Sequence, residues 1–325
     1  MQATHVKGID LPISQLVLGT MTFGDTVDAA DAAVMVDTAL DAGITVIDTA
    51  NGYAGGASEE ILAPLLARRR GAVVLASKAG IPHPDAGEHS PLSTAGLRLA
   101  VEGSLRRLGA ERLDLFYLHQ PDRQAPLEET MTAVGRLIEE GKVGALGVSN
   151  FAAWQISELN RVADAVGTPR PVIAQQLYNL LATRIEDEYL EFAQQTDLLT
   201  MVYNPLGGGL LTGKHSFTEA PAEGRFGSSR LAAMYKQRYW DERLFAAITE
   251  LGQIAAAAQM PLVELSFRWL LSKPGVGAVL LGGSKVAQLR DNIEAAARGP
   301  RPADIVEACD SVSGALRGPM PQYNR

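Results

Sequence analysis

Four side chains carry groups that can cooperate on a single proton: the carboxylate of Asp48, the phenol of Tyr53, the ammonium of Lys78 and the imidazole of His119. A phenol stays protonated at neutral pH, so Tyr53 suits the delivery of a proton to an oxygen atom. Lowering a phenol pKa from about 10 to about 7 takes roughly 4 kcal/mol, and an ammonium about 4 Å away at an effective dielectric near 20 supplies that much. The sequence therefore predicts Lys78 beside Tyr53, drawing its pKa down. A lysine at the mouth of an apolar scaffold tends to lose its proton to desolvation, and Asp48 is the partner that keeps it charged. His119 completes the set by donating a hydrogen bond from a ring nitrogen to the same substrate oxygen.

Bringing these groups together requires elements that end where the side chains sit. Short β-branched, apolar runs recur along the chain: "QLVLGT" at 15–20, "ITVIDTA" at 44–50, "AVVLASK" at 72–78 and "LDLFYLHQ" at 113–120. The series continues with "VGALGVSN" at 143–150, "PVIAQQ" at 171–176, "LLTMVYN" at 198–204 and "GAVLLGGS" at 277–284. Helical patterns lie between them, as over 31–42, 58–70 and 93–108, and Arg68, Arg69 and Arg70 read as the cationic end of the second. Eight buried runs alternating with helices predict an α/β chain folded as a (β/α)8 TIM barrel, whose functional residues belong at C-terminal strand ends. Asp48, Lys78 and His119 close the second, third and fourth runs, and Tyr53 follows in the loop.

No Gly/Pro/Ser-rich linker divides the 325 residues, so 1–325 reads as a single domain. Residues 1–14 are expected to form a strand or hairpin closing the barrel bottom, and 302–317 a terminal helix. A long irregular insert over 206–239 has the length of a lid or binding loop.

Composition narrows the function classes. The net charge is -8 and the one dense cationic block is Arg68–Arg70, which argues against nucleic-acid and membrane partners. Cys309 is the single cysteine, which excludes an intramolecular disulfide framework and points to a reducing, cytoplasmic setting. The N-terminus has no secretory pattern, and no apolar run approaches the roughly 20 residues that span a bilayer. No coiled-coil heptads stand out, so self-association into a homo-oligomer stays open.

Rival motifs carry less. "GGLLTGKH" at 208–215 approaches a phosphate loop but offers His215 where that motif needs a hydroxyl. His83, Asp85, Glu88 and His89 cluster in a Pro-rich loop and read as loop polarity, so no metal is assigned. Trp154, Trp240 and Trp269 fall on expected helices and read as packing.

The tetrad and its strand contexts resemble the aldo-keto reductase family, as do "LGTMTFG", "DTANGY", "YLHQPD", "GVSNF", "YNPLGGGLLTGK" and "LLGGSKVAQLRDN" across nearly the whole chain. The resemblance implies an oxidoreductase that reduces a small aldehyde or ketone, with Asp48, Tyr53, Lys78 and His119 as the catalytic set. It also implies an extended NADP (NADPH) over the barrel mouth. Ser149, Asn150 and Gln175 would then hold the nicotinamide carboxamide, Tyr203 would stack on its ring, and Asn204 and Leu206 would meet the diphosphate. Thr20, Met21, Asp48, Pro205 and Gly207 fall among the other cofactor positions, Lys214 and Arg225 reach the phosphates, and Gly282, Ser284, Gln288, Asp291 and Asn292 match the adenosine end. Asn204 stands where the family often has Ser, and Gly282 and Gly283 where many NADPH-preferring members have a cation. The sequence is also similar to potassium-channel beta subunits, which keep the tetrad, so a cofactor-sensing regulatory subunit is the alternative. Reduction of a conjugated carbon–carbon double bond is disfavoured, because superfamily members doing that carry Glu where His119 stands.

Overall fold

The computed structural model describes residues 2–219 and 221–319. A short antiparallel hairpin, β1 (Ala3–Thr4) with β2 (Ile13–Ser14), precedes eight further strands. These are β3 (Leu16–Gly19), β4 (Val46–Asp48), β5 (Val74–Ala79), β6 (Leu113–Leu118), β7 (Val143–Ser149), β8 (Ile173–Leu177), β9 (Leu199–Tyr203) and β10 (Val276–Leu281). They pair in parallel and in chain order, and β10 closes onto β3. The expected (β/α)8 barrel is the fold observed.

Side chains alternate across each strand, so a period of two separates barrel interior from helix layer. Val46, Val74, Ala76, Leu115, Tyr117, Ala145, Ile173 and Met201 belong to the interior cluster. Ile47, Leu75, Phe116, Leu146 and Val202 belong instead to the larger core against the helices. Two residues beyond the interior set, toward the C-terminal ends, come Asp48, Lys78, His119, Gln175 and Tyr203. The alternation that buries the barrel's apolar layers thus also aims these polar side chains at its mouth. The centre is filled by the fully buried Tyr117, and a Cβ on the facing Gly147 would lie 2.5 Å from its ring. Ile9 and Ile13 of the hairpin segment join the interior cluster, plugging the opposite end as expected for 1–14.

Several local expectations change. The second helix runs Ala57–Leu66, so Arg68, Arg69 and Arg70 lie beyond its end; Arg70 instead forks onto Asp114 at 2.7 and 2.9 Å. The 206–239 insert is not wholly irregular: it holds 3-10 turns at Gly207–Thr212 and Gly224–Phe226 and an α-helix, Ala232–Tyr239, that buries Tyr235 and Tyr239 one turn apart. Trp154 is 67% exposed rather than packed, and Trp240 follows a helix instead of lying on one, its ring 5.3 Å from Phe226 and 5.0 Å from Phe245. Trp269 is fully buried. The terminal helix spans Ala303–Ala315 and encloses Cys309. Among the described residues no helix is long and apolar enough to cross a membrane.

Candidate active site

Register sets the geometry of the site. Asp48 pairs with Ala76 across β4 and β5, which leaves Lys78 one interior step higher and able to reach down onto it. Both side chains are completely inaccessible. The Lys78 ammonium donates to the Asp48 carboxylate, to the Thr49 carbonyl at 2.8 Å and to the Tyr53 hydroxyl at 3.3 Å. Three acceptors match the three protons of an ammonium. The second carboxylate oxygen, Asp48 Oδ2, accepts from Gln175 Nε2 at 2.9 Å.

Tyr53 begins a 3-10 turn, Tyr53–Gly56, that folds over the strand ends. The turn is tied from beneath: Ser58 Oγ donates to the Thr20 carbonyl at 3.0 Å and lies 3.0 Å from Thr49 Oγ1, and Thr20 Oγ1 donates to the Asp48 carbonyl at 3.1 Å. The Tyr53 and His119 rings meet edge to face with centroids 6.0 Å apart.

Burial pulls the Lys78 ammonium down, but Asp48 and Tyr53 more than restore it, so its pKa sits above the ordinary lysine value. Burial lifts the Asp48 carboxyl, with Lys78 and Gln175 pulling against it. Both carboxylate oxygens accept from donors, which is the arrangement an ionised Asp48 needs. The expectation of a lowered Tyr53 pKa is corrected: burial outweighs the attraction of Lys78 and holds the phenol above its usual value. Burial and then Lys78 push the His119 imidazole down to about 3, so the ring is neutral at physiological pH.

A cavity of about 1150 Å³ opens above this group, and Tyr53 and His119 face it. Ser149, Asn150, Gln175 and Tyr203 line it from the strand ends, and Met21 from the loop after β3. Asn204, Pro205 and Leu206 follow, and Lys214 and Arg225 reach it from the insert. Gly282, Ser284, Gln288, Asp291 and Asn292 complete the far end. Three expected cofactor positions do not line it. Thr20 is fully buried beneath Asp48, Asp48 lies under the floor, and Gly207 is buried behind its neighbour Gly208.

Local bonding engages several of these residues within the protein itself. Tyr203 Oη donates to Asn150 Oδ1 at 2.7 Å, and Asn150 Nδ2 donates to the His119 carbonyl at 2.9 Å. Asn204 bonds Tyr239 Oη at 2.8 Å and receives the Gly208 N–H at 2.7 Å, so its amide shapes the glycine turn. "GGLLTGKH" opens a 3-10 turn rather than the helix a phosphate loop precedes. His83 lies 3.1 Å from Asp85, but Asp85 is held by Arg107 at 2.7 and 2.9 Å; among the described residues no three His, Cys, Asp or Glu are grouped to hold a metal. The sequence reading missed Arg238 and Tyr235, which line the cavity from the helix in the insert, and Tyr117, whose ring lies 5.7 Å from Lys78 Nζ. For Tyr117 the period-two pattern, two residues before His119, was the available signal.

The cavity offers what a dinucleotide requires: amide and hydroxyl groups at the strand ends, the cations Lys214, Arg225 and Arg238 on its rim, and a helix, Val286–Ala297, whose N-terminus no side chain caps.

A closed parallel barrel thus gathers a phenol, an ammonium, a carboxylate and a neutral imidazole at one mouth, groups whose chemistry suits proton transfer at an oxygen atom. The sequence pattern of the Aldo/keto reductase family matches residues 15–313. Aldo-keto reductase family 7 member A3 of Homo sapiens is 36% identical over 324 residues, covering 95% of this chain and 96% of that protein. Aflatoxin B1 aldehyde reductase member 4 of Homo sapiens is 35% identical, covering 94% and 96% respectively. A probable voltage-gated potassium channel subunit beta of Oryza sativa subsp. japonica is 32% identical, covering 91% of each. The chain belongs to the aldo/keto reductase family, whose members are oxidoreductases that use nicotinamide cofactors.

Proposed function

We propose that this protein reduces an aldehyde or ketone to the alcohol with NADPH, Tyr53 acting as general acid. The observation that carries the reading is the Tyr53 hydroxyl 3.3 Å from a Lys78 ammonium that is itself bonded to Asp48, beneath a large cavity. When bound, the nicotinamide cofactor supplies the hydride. Tyr53 gives its proton to the carbonyl oxygen, and burial keeps that proton in place until the substrate arrives. Lys78 stabilises the phenolate left behind, and Asp48 keeps Lys78 charged. Neutral His119 donates a ring N–H to the same oxygen and orients it.

Ser149, Asn150 and Gln175 would hold the carboxamide, Tyr203 would cover the ring, and Lys214 and Arg225 would meet the phosphates. The choice of NADPH over NADH follows the family resemblance, since these cations would serve the diphosphate of either cofactor, and comparing kcat/KM for the two cofactors checks it. Ile81, Leu231 and Met234 are partly exposed at the same cavity and suit a substrate with an apolar body. The aflatoxin B1 aldehyde reductases among the relatives support an aldehyde of that kind. A single buried cysteine fits a cytoplasmic enzyme acting on a small molecule, with no nucleic-acid or membrane partner.

The deciding experiment follows NADPH oxidation with an activated aromatic aldehyde in wild type and Tyr53→Phe, which removes the proton donor and keeps the ring. A loss of about 100-fold or more with cofactor binding retained supports the assignment; equal turnover by the two proteins ends it. Similarity to a potassium channel beta subunit gives a second reading, a regulatory subunit that senses cofactor. That reading requires tight NADPH binding with slow turnover across a carbonyl panel, and many turnovers per second would exclude it.

A further inference from the structure

We propose that Gln175 is a positioning residue for the proton-donating group: its carboxamide holds the Asp48 carboxylate and, through it, the Lys78 ammonium behind the Tyr53 hydroxyl. The role is distinct from grasping a cofactor. Its effect on turnover rests on the reductase reading above, but its effect on the unliganded protein does not.

Gln175 sits near the C-terminal end of β8, 3% exposed, at the boundary between the cavity and the buried pair. Its backbone is fixed, since its carbonyl accepts from Ser149 Oγ at 2.9 Å and from the Asn150 N–H at 3.3 Å. Its Nε2 donates to Asp48 Oδ2 at 2.9 Å and lies 3.3 Å from Met201 Sδ. The amide has one workable orientation, because its oxygen turned toward a carboxylate would place two acceptors together.

The groups facing Asp48 are few. Lys78 occupies Oδ1 from β5, Gln175 occupies Oδ2 from β8, the Tyr53 hydroxyl lies beyond Lys78, and the Tyr117 ring packs below. His119 is the remaining titratable neighbour and acts through Lys78. Among the described residues Gln175 is thus the one neutral side chain donating to this carboxylate. A buried carboxylate has no water to replace a lost donor, so losing a hydrogen bond to its charged form moves its pKa further up. Once Asp48 takes a proton, the inaccessible Lys78 ammonium has lost its counter-ion and is no longer held behind the Tyr53 hydroxyl. The phenolate then has no fixed cation beside it. Gln175 therefore sets how far the pH can fall before the proton-donating group fails.

The test uses Gln175→Leu and Gln175→Met, both of which keep bulk and remove the donor without adding a titratable group. In cofactor-free protein, Tm is measured from pH 4 to 8 against wild type. The Asp48 pKa is already raised in the folded state, and losing the donor raises it further. Each variant's Tm deficit should therefore open as pH climbs between the wild-type and variant folded-state values, by several degrees, and stay level outside that window. At saturating NADPH the acid limb of kcat should move up by about one pH unit in both. Parallel Tm curves and superimposed acid limbs, with only cofactor affinity weakened, would overturn the proposal and leave Gln175 a cofactor ligand alone. Should wild type reduce no carbonyl, the reductase reading fails separately and the cofactor-free Tm curves decide this one. Should Gln175→Leu fail to fold, Gln175→Met decides it.

Discussion

Lys78 and Asp48 lie beneath the cavity floor on neighbouring strands and are wholly inaccessible, whereas Arg225 and Arg238 reach the cavity from a 3-10 turn and an eight-residue helix in the 206–239 insert. The floor's geometry follows from strand register, which a closed barrel cannot slip without reversing every interior side chain. The rim is held by side chains instead: Arg225 donates to Tyr235 Oη at 2.7 Å, Phe226 meets Tyr235 edge to face, and Tyr239 bonds Asn204. Charges below the floor are fixed by the barrel itself, while charges on the rim depend on the packing of the insert.

The largest effect that separates the two regions should come from Lys78→Met. It leaves Asp48 buried without its cation, and we expect a loss of about 3–5 kcal/mol in chemical denaturation besides lost turnover. A loss below 1 kcal/mol would show that the floor tolerates an unpaired carboxylate. Gly147→Ala comes next, since its Cβ would fall 2.5 Å from the Tyr117 ring and 2.9 Å from Ile173 Cγ2. Overpacking of this kind costs about 1–3 kcal/mol, read from the same denaturation curves. On the rim, Arg238→Ala should raise KM for the cofactor several-fold yet change stability by no more than about 0.5 kcal/mol. A stability loss matching that of Gly147→Ala would erase the distinction.

The smallest change is expected at His119. Its pKa is lowered to about 3, so the ring is already neutral well below pH 5 and gains no proton on going from pH 8 to 5. NMR of the imidazole nitrogens across that range should show no titration. A midpoint near 6.5 would place the ring in water rather than against Tyr53.

The same contrast explains what could be read from the sequence. Apolar runs with a period of two are enforced by burial on both faces, so the strands and the side chains closing them, Asp48, Lys78 and His119, stood out. Tyr117 has the same period but hides among apolar neighbours as one more aromatic. The helix Ala232–Tyr239 buries only its two tyrosines, which leaves no apolar stripe to detect, and so Arg238 went unread. Trp154 carries a strong packing signal, but its helix turns it outward. The raised phenol pKa was out of reach for a different reason: it depends on the depth of burial, which spacing does not encode.

The buried cysteine bears on how the proposed aldehyde reduction would be endured. Thiolates are nucleophiles that add to electrophilic aldehydes more readily than most other side chains do. Cys309 is inaccessible within the terminal helix, and burial pushes its thiol up to about 12. Among the described residues the molecule thus offers no accessible thiolate at neutral pH to which a reactive carbonyl could be added.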